Sequence, residues 1–355
     1  MSIGEPSPET SASAAQPGAR PRRALLTPLL FAGGGVALVA LVVHRVGAAG
    51  LIEALRAAAP LLPLALALEG ARIASEAMAA LALFRGLAAR PGDAPTWRAL
   101  LRVHLMTYGV VAFAPAGRAA GEALRATLLA PTIGGARAAA VGTFSQGLGL
   151  LATGLVSLPC ALAAWRAGTG ALATTSLIQA AVLSALGVLL LVATRRREVG
   201  SLLRRFRRAE HAGEAYVEAM NALPLVPLAP LGLTVLGRAA QCAMLATLLF
   251  AVGARVDLGA AVSALGAMLV GTSAGDFVPG QLGATDGAFT LFHDALGATP
   301  AQAVGAALLA HLMQLAWTIL SALAPLAALK RTSVARALTR TTVARVRPAA
   351  PRAAA

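Results

Sequence analysis

Two stretches of this 355-residue sequence carry charge where charge is costly. The first, FAPAGRAAGEALRATLL (113–129), puts Arg118, Glu122 and Arg125 on successive turns of one face if the segment is helical. The second, AGDFVPGQLGATDGAF (274–289), holds Asp276 and Asp286 around Pro279 and two glycines in an otherwise oily neighbourhood. Two guanidiniums beside a helix start suit a phosphate, because the planar fork and the helix dipole both favour an anion. Gly117 and Gly121 would let a ligand approach the backbone. The same residues also read as an ion-pair ladder that lets a charged hairpin sit among apolar helices. Asp286, near the start of a half-helix, is either a cap or a proton or cation site or a partner for Arg238 or Arg125; Asp276 reads as a cap at the end of the preceding piece. Asp286, Thr290 and His293 share a face by helical spacing.

Charge of this kind recurs on the flanking segments. Glu69, Arg72 and Glu76 are three and four residues apart, on one helical face. They fit either a self-neutralising cluster near the membrane interface or the wall of a hydrated cavity. His311 and Gln314 lie three apart and fit interhelical hydrogen bonding as well as they fit a polar path. No phosphate-cradling Gly-rich loop with Lys-Ser/Thr, no zinc spacing among the five histidines and no Gly-x-Ser-x-Gly elbow is present. Asp276 and Asp286 sit in one hairpin, which does not suit an aspartyl-protease dyad. The expectation is a protein without catalytic residues, metal or cofactor.

The medium that surrounds these residues follows from composition. At 57% hydrophobic and 13% charged, against about 25% charged in soluble domains, the chain requires lipid as its solvent. The net charge of +15 does not point to nucleic acid, since aromatics are only 4% and the arginines sit in blocks beside apolar runs. Cys160 and Cys242 lie far apart within apolar runs and read as small core residues.

A bilayer-crossing helix needs about twenty apolar residues. Six runs qualify, near 24–44, 60–84, 138–163, 171–193, 225–252 and 302–329. Two runs, 99–113 and 261–274, are too short and end in Pro/Gly clusters, the pattern of re-entrant or interrupted helices. The expected fold class is therefore an all-α polytopic membrane protein with about six spans and two re-entrant hairpins. Residues 1–23 read as a disordered cytoplasmic leader, 24–329 as the transmembrane domain and 330–355 as a basic tail. Arginines in the leader, in RRREVGSLLRRFRR (195–208) and in the tail place both termini in the cytoplasm.

An internal repeat organises the spans. Pro115 aligns with Pro279 and Glu122 with Asp286, both 164 residues apart, and Arg72 aligns with Arg238, 166 apart. Downstream, Gln146 falls opposite His311. The halves, about 60–163 and 225–329, are separated by an odd number of spans and so read as inverted copies, an architecture that brings interrupted helices together near the midplane of secondary transporters.

PAGRAAGEALRATLL and VPGQLGATDGAF resemble the two signatures of the lysylphosphatidylglycerol synthase transmembrane-domain, or flippase-like, family, and the resemblance runs from about residue 24 to 329. That family's second signature commonly reads Pro-Gly-Gly-x-Gly followed by Glu; here Gln281 stands at a glycine position and Asp286 at the acid. The resemblance implies a bacterial or archaeal inner-membrane protein that binds or moves polar lipids. Members fused to an aminoacyltransferase domain lysylate phosphatidylglycerol; this chain is expected to be a stand-alone member without that domain. Together with the residues, it suggests a lipid translocase with a headgroup site at Arg118, Glu122, Arg125, Gln281 and Asp286. The polar path would run along Glu69, Arg72, Arg238, Gln146 and His311. A scaffold that presents lipid to a separate enzyme, such as a glycosyltransferase, is the alternative. Membrane lipids are the expected partners, and nucleic acid is not.

Overall fold

The computed structural model describes residues 52, 56–88, 94–114, 117–196, 210–276, 278–281 and 283–321. The expected span at 24–44, the leader, most of the 195–208 loop and the basic tail lie outside the described residues, as does Pro115. Among the described residues the main α-helices are, in chain order, α1 Leu62–Leu87, α2 Trp97–Phe113, α3 Gly117–Ile133, α4 Gly135–Arg166 and α5 Gly170–Ala193 in the first half. The second half holds α6 Glu210–Ala222, α7 Leu228–Ala251, α8 Leu258–Ala274 and α9 Ala284–Leu291, closed by α10 Pro300–Ser321. No strand occurs among the described residues.

Four of these helices, α4, α5, α7 and α10, are long and apolar enough to cross a bilayer, and they correspond to four of the six expected runs. Helix α1 has the length, at 26 residues, but carries Glu69, Arg72, Glu76 and Arg85, so length and composition disagree there. Helices α2, α3 and α8 have 17 residues each, or about 26 Å of rise, short of the roughly 30 Å hydrocarbon core. Thr96 caps α2 by accepting from the Ala99 amide at 3.3 Å, and Asp257 caps α8 by accepting from Ala260 at 2.7 Å.

Helix α4 is the central post. In its most apolar 18-residue stretch 61% of residues are buried, against 28% in α5, whose Leu177, Ile178, Val182 and Leu189 face outward. In lipid, exposure of leucine costs nothing, and tight helix pairing comes from small residues instead. The α4–α5 seam shows this: a Cβ on Gly187 would lie 2.8 Å from the Gly147 carbonyl oxygen and 2.9 Å from the Leu151 nitrogen. Gln179 on α5 then reaches across, donating to the Leu269 carbonyl at 2.9 Å and to Ser273 Oγ at 2.7 Å. That clamp holds the C-terminal end of α8 and the turn that follows it.

Two apolar clusters flank α4. One gathers α7, α8, α9 and α10 around Leu245, Leu248, Phe289 and Ala306; the other gathers α1, α3 and α6 around Leu83, Phe144 and Met220. Helix α6 falls between the expected runs at 171–193 and 225–252, where no element is expected from the sequence. Its Tyr216, Ala219 and Met220 are buried, and Tyr216 donates to Thr143 Oγ1 at 3.0 Å, so a 13-residue helix too short to be stable alone is held by docking its apolar stripe on α4. The face expected for Asp286, Thr290 and His293 is also shorter than the spacing predicted. Helix α9 stops at Leu291, and His293 belongs to a separate 3-10 turn where its Nδ1 meets the Ala298 carbonyl at 3.1 Å.

Because the Gly187 contacts are with backbone, they cannot yield. Gly187→Leu is expected to destabilise the α4–α5 pair by about 1–3 kcal/mol or more, read as a lower unfolding midpoint in detergent, whereas Gly170→Ala, which meets nothing within 4 Å, leaves it unchanged.

Candidate functional site

A cavity of about 360 Å³ opens where the two clusters meet. Leu83 and Leu148 of one cluster and Met244, Met268 and Leu269 of the other border it. Nine of the ten residues singled out from the sequence line it: Glu69, Arg72, Arg118, Glu122, Arg125, Gln146, Arg238, Gln281 and His311. The tenth, Asp286, does not. One of its oxygens caps α9 by accepting from the Gly283 amide at 2.9 Å, and the other lies 3.3 Å from His311 Nε2 without hydrogen-bond alignment. Asp286 thus supports a cavity residue rather than facing the cavity itself.

The four arginines around this cavity are in different states. Arg72 is saturated. Its Nε and Nη2 donate to the two oxygens of Glu69 at 3.0 and 2.6 Å, and its Nη1 donates to Glu76 Oε1 at 2.6 Å. Tyr108 of α2 completes the group by donating to Glu69 Oε1 at 2.8 Å, with its ring under the guanidinium. The triad is self-neutralising, with α2 added to it, and it also lines the cavity wall. Such a latch joins α1 to α2, because removing either charge strands the other in an apolar setting.

Arg125 is half satisfied. It donates through Nη1 to Glu122 Oε1 at 2.7 Å, while its Nε and Glu122 Oε2 are buried without partners among the described residues. The ladder expected from spacing therefore has one rung, Glu122–Arg125, and Arg118 stands outside it. Helix α3 lies tightly on α2 because Gly117 and Gly121 lie against Val110 and Val111. This close approach fixes the direction of the Arg118–Arg125 face.

Arg118 and Arg238 have no carboxylate within 4 Å among the described residues. Arg238, only 8% exposed, donates to Gln241 Oε1 at 2.8 Å and to Thr153 Oγ1 at 3.3 Å. Arg118 lies against α4 with Nη1 3.0 Å from where a Gly149 Cβ would stand. Gly149 and Thr153 are one turn apart, and Thr153 Oγ1 donates to the Gly149 carbonyl at 2.8 Å. Two guanidiniums without carboxylates thus meet the same turn of α4, about 5–6 Å apart along its axis, on the wall of one cavity.

Several lining residues had little signal in the sequence. His104 and Tyr108 are polar positions four apart in the short run 99–113, and Gln241 follows Arg238 by three, spacings that a search for polar residues on helical faces would have found. Thr153 and Ser273 are indistinguishable in sequence from other membrane-helix hydroxyls. Asp276, read as a cap, lines the cavity from the turn after α8. Gln281 does so from a turn in which its φ is +55°, the one left-handed non-glycine among the described residues.

The set of groups can bind an anion, position neutral polar atoms and solvate a headgroup, and it includes no cluster of three or more His, Cys, Asp or Glu suited to a metal among the described residues. No curated protein and no solved structure matches this chain. Residues 25–322, which hold both signature stretches and every residue of the cavity, match the family described as the lysylphosphatidylglycerol synthase TM region, and the chain belongs to that family of multi-pass membrane proteins.

Proposed function

We propose that this protein is a lipid translocase that carries a polar, phosphate-bearing headgroup through the cavity while the acyl chains remain in the bilayer. The observation behind this reading is the pair Arg118 and Arg238, two guanidiniums without carboxylate partners against one turn of α4. Arg238 is buried and Arg118 half-buried; a guanidinium without a counter-anion is costly in an apolar setting, and an anion placed between the two forks would offset that cost. Arg125, whose Nε is free, stands beside this position.

In this reading α2–α3 and α8–α9 are two re-entrant hairpins that enter from opposite faces, with α1 and α7 as their repeat-related partners. Support comes from the tight α1–α7 contact at the aligned arginines, where a Cβ on Gly237 would lie 3.5 Å from the Arg72 carbonyl oxygen. The two unsaturated arginines, one from each half, would then hand the headgroup between opposite entrances near the midplane. The setting is the bacterial inner membrane with both termini cytoplasmic, as the arginine blocks imply.

Arg118→Ala and Arg238→Ala are each expected to weaken binding of an anionic phospholipid about tenfold or more with little change in unfolding midpoint. Arg72→Ala is expected to do the reverse, costing roughly 3–5 kcal/mol of stability by leaving Glu69 and Glu76 unpaired. Paired lipid-binding and thermal-unfolding measurements on the purified variants check this division. In proteoliposomes, headgroup labelling on the outer leaflet should show lipid movement in wild type and none in the Arg118→Ala/Arg238→Ala double variant. Tight binding with no movement in wild type would instead favour a scaffold that presents lipid to a separate enzyme.

A further inference from the structure

The cavity walls are chemically unequal. The α1–α3–α7 side brings all four arginines and three of the carboxylates, while the side built by α8, its following turn, α9 and α10 brings no arginine or lysine. On that second wall stand Gln281, Gln314, Thr285, Ser273 and His311, with Asp276 as its lone lining carboxylate. Thr285 is 0% exposed and its Oγ1 has no partner among the described residues; the side-chain amides of Gln281 and Gln314 likewise make no hydrogen bond there. A buried hydroxyl is ordinarily paired, so the unpaired Thr285 Oγ1, beside the half-buried amides of Gln281 and Gln314 on the same wall, suits polar atoms that arrive with a ligand. The cavity, on the order of a dozen water volumes, is larger than a phosphate alone requires.

Gln281 makes the case more specific. Its φ of +55° lies in a region where glycine is at ease and a side chain is strained. The position would be more relaxed as glycine, yet it carries a long amide that reaches the cavity wall and bonds to nothing else in the described protein.

We propose that the α8–α9–α10 wall is a specificity subsite for an uncharged, hydroxyl-rich extension of the lipid headgroup, a polyol or sugar joined to the phosphate, with Gln281 as its selecting residue. Amides and hydroxyls both donate and accept, as a vicinal polyol does, and Asp276 accepts from a hydroxyl. A cationic extension would call for several carboxylates here, and the other three around the cavity are engaged by Arg72 and Arg125. This inference rests on the phosphate-bearing headgroup proposed above.

The test titrates the purified full chain with phosphatidylinositol, phosphatidylglycerol, phosphatidic acid and phosphatidylethanolamine, reading apparent affinity from ligand-dependent thermal stabilisation. Phosphatidylinositol and phosphatidylglycerol should bind more tightly than phosphatidic acid. Gln281→Gly, which removes the amide while relaxing the backbone, should weaken the two hydroxylated lipids about fivefold to tenfold and leave phosphatidic acid unaffected. Equal affinity for hydroxylated and plain phosphate lipids, an equal loss for all of them in Gln281→Gly, or a preference for the amine of phosphatidylethanolamine would each overturn the subsite. The Arg118→Ala variant separates the two readings. If phosphatidic acid binding is lost there while hydroxyl selectivity is absent from wild type, only the subsite falls; if phosphatidic acid binding persists, the phosphate reading fails and takes the subsite with it.

Discussion

An arginine surrounded by packed apolar helices must find a counter-charge, and how each of the cavity's four arginines meets that demand shapes the protein. Arg72 meets it within its own helix, through Glu69 and Glu76, and recruits Tyr108 from α2. Arg125 meets it in part, through Glu122. Arg118 and Arg238 make no ion pair within 4 Å among the described residues; Arg118 lies against Gly149, and Arg238 donates to Gln241 and Thr153. In the proposed function the saturated arginine is a structural latch, and the unsaturated ones are the binding groups. A count of charges alone would not separate them, since four arginines and four carboxylates line the same cavity.

The scaffold that keeps two arginines unsatisfied is built from small residues. Glycines at 147, 154 and 187 bring α4 and α5 into backbone contact, and Gly117 and Gly121 press α3 onto α2. Close backbone approach replaces the hydrophobic driving force that lipid cannot supply. It also fixes where the backbone of α3 lies against α2. The clamp of Gln179 on Leu269 and Ser273 does the same for the turn that carries Asp276 and Gln281. Rigid helices thus hold an electrostatically incomplete pocket, which is a preorganised arrangement for a ligand that completes it.

The two hairpin-like segments differ in a way that follows from this logic. The α2–α3 pair brings Arg118 and Arg125 to the cavity, whereas α8, α9 and the turn between them bring Ser273, Asp276, Gln281 and Thr285 and no arginine or lysine. A symmetric pair of cationic walls would suit a bare anion; the unequal pair suits the proposed headgroup, with an anionic end and a polar neutral end.

Much of this was readable along the chain. Composition required lipid as solvent, and run lengths located α4, α5, α7 and α10. Helical spacing collected Glu69, Arg72 and Glu76 on one face, and the aligned positions Arg72, Glu122, Gln146, Arg238 and His311 share one cavity with Glu69, Arg118, Arg125 and Gln281. These properties are local or periodic, so a linear text carries them. The state of each charge was not readable, because it depends on partners far away in sequence. Tyr108 lies 39 residues from Glu69, Thr153 lies 85 from Arg238, and Asp286 turned to cap its own helix beside His311. Sequence determined which residues are polar within the membrane domain; only packing decided which are already satisfied, since a hydrogen bond is made or missed over an ångström that side-chain spacing along one helix does not specify.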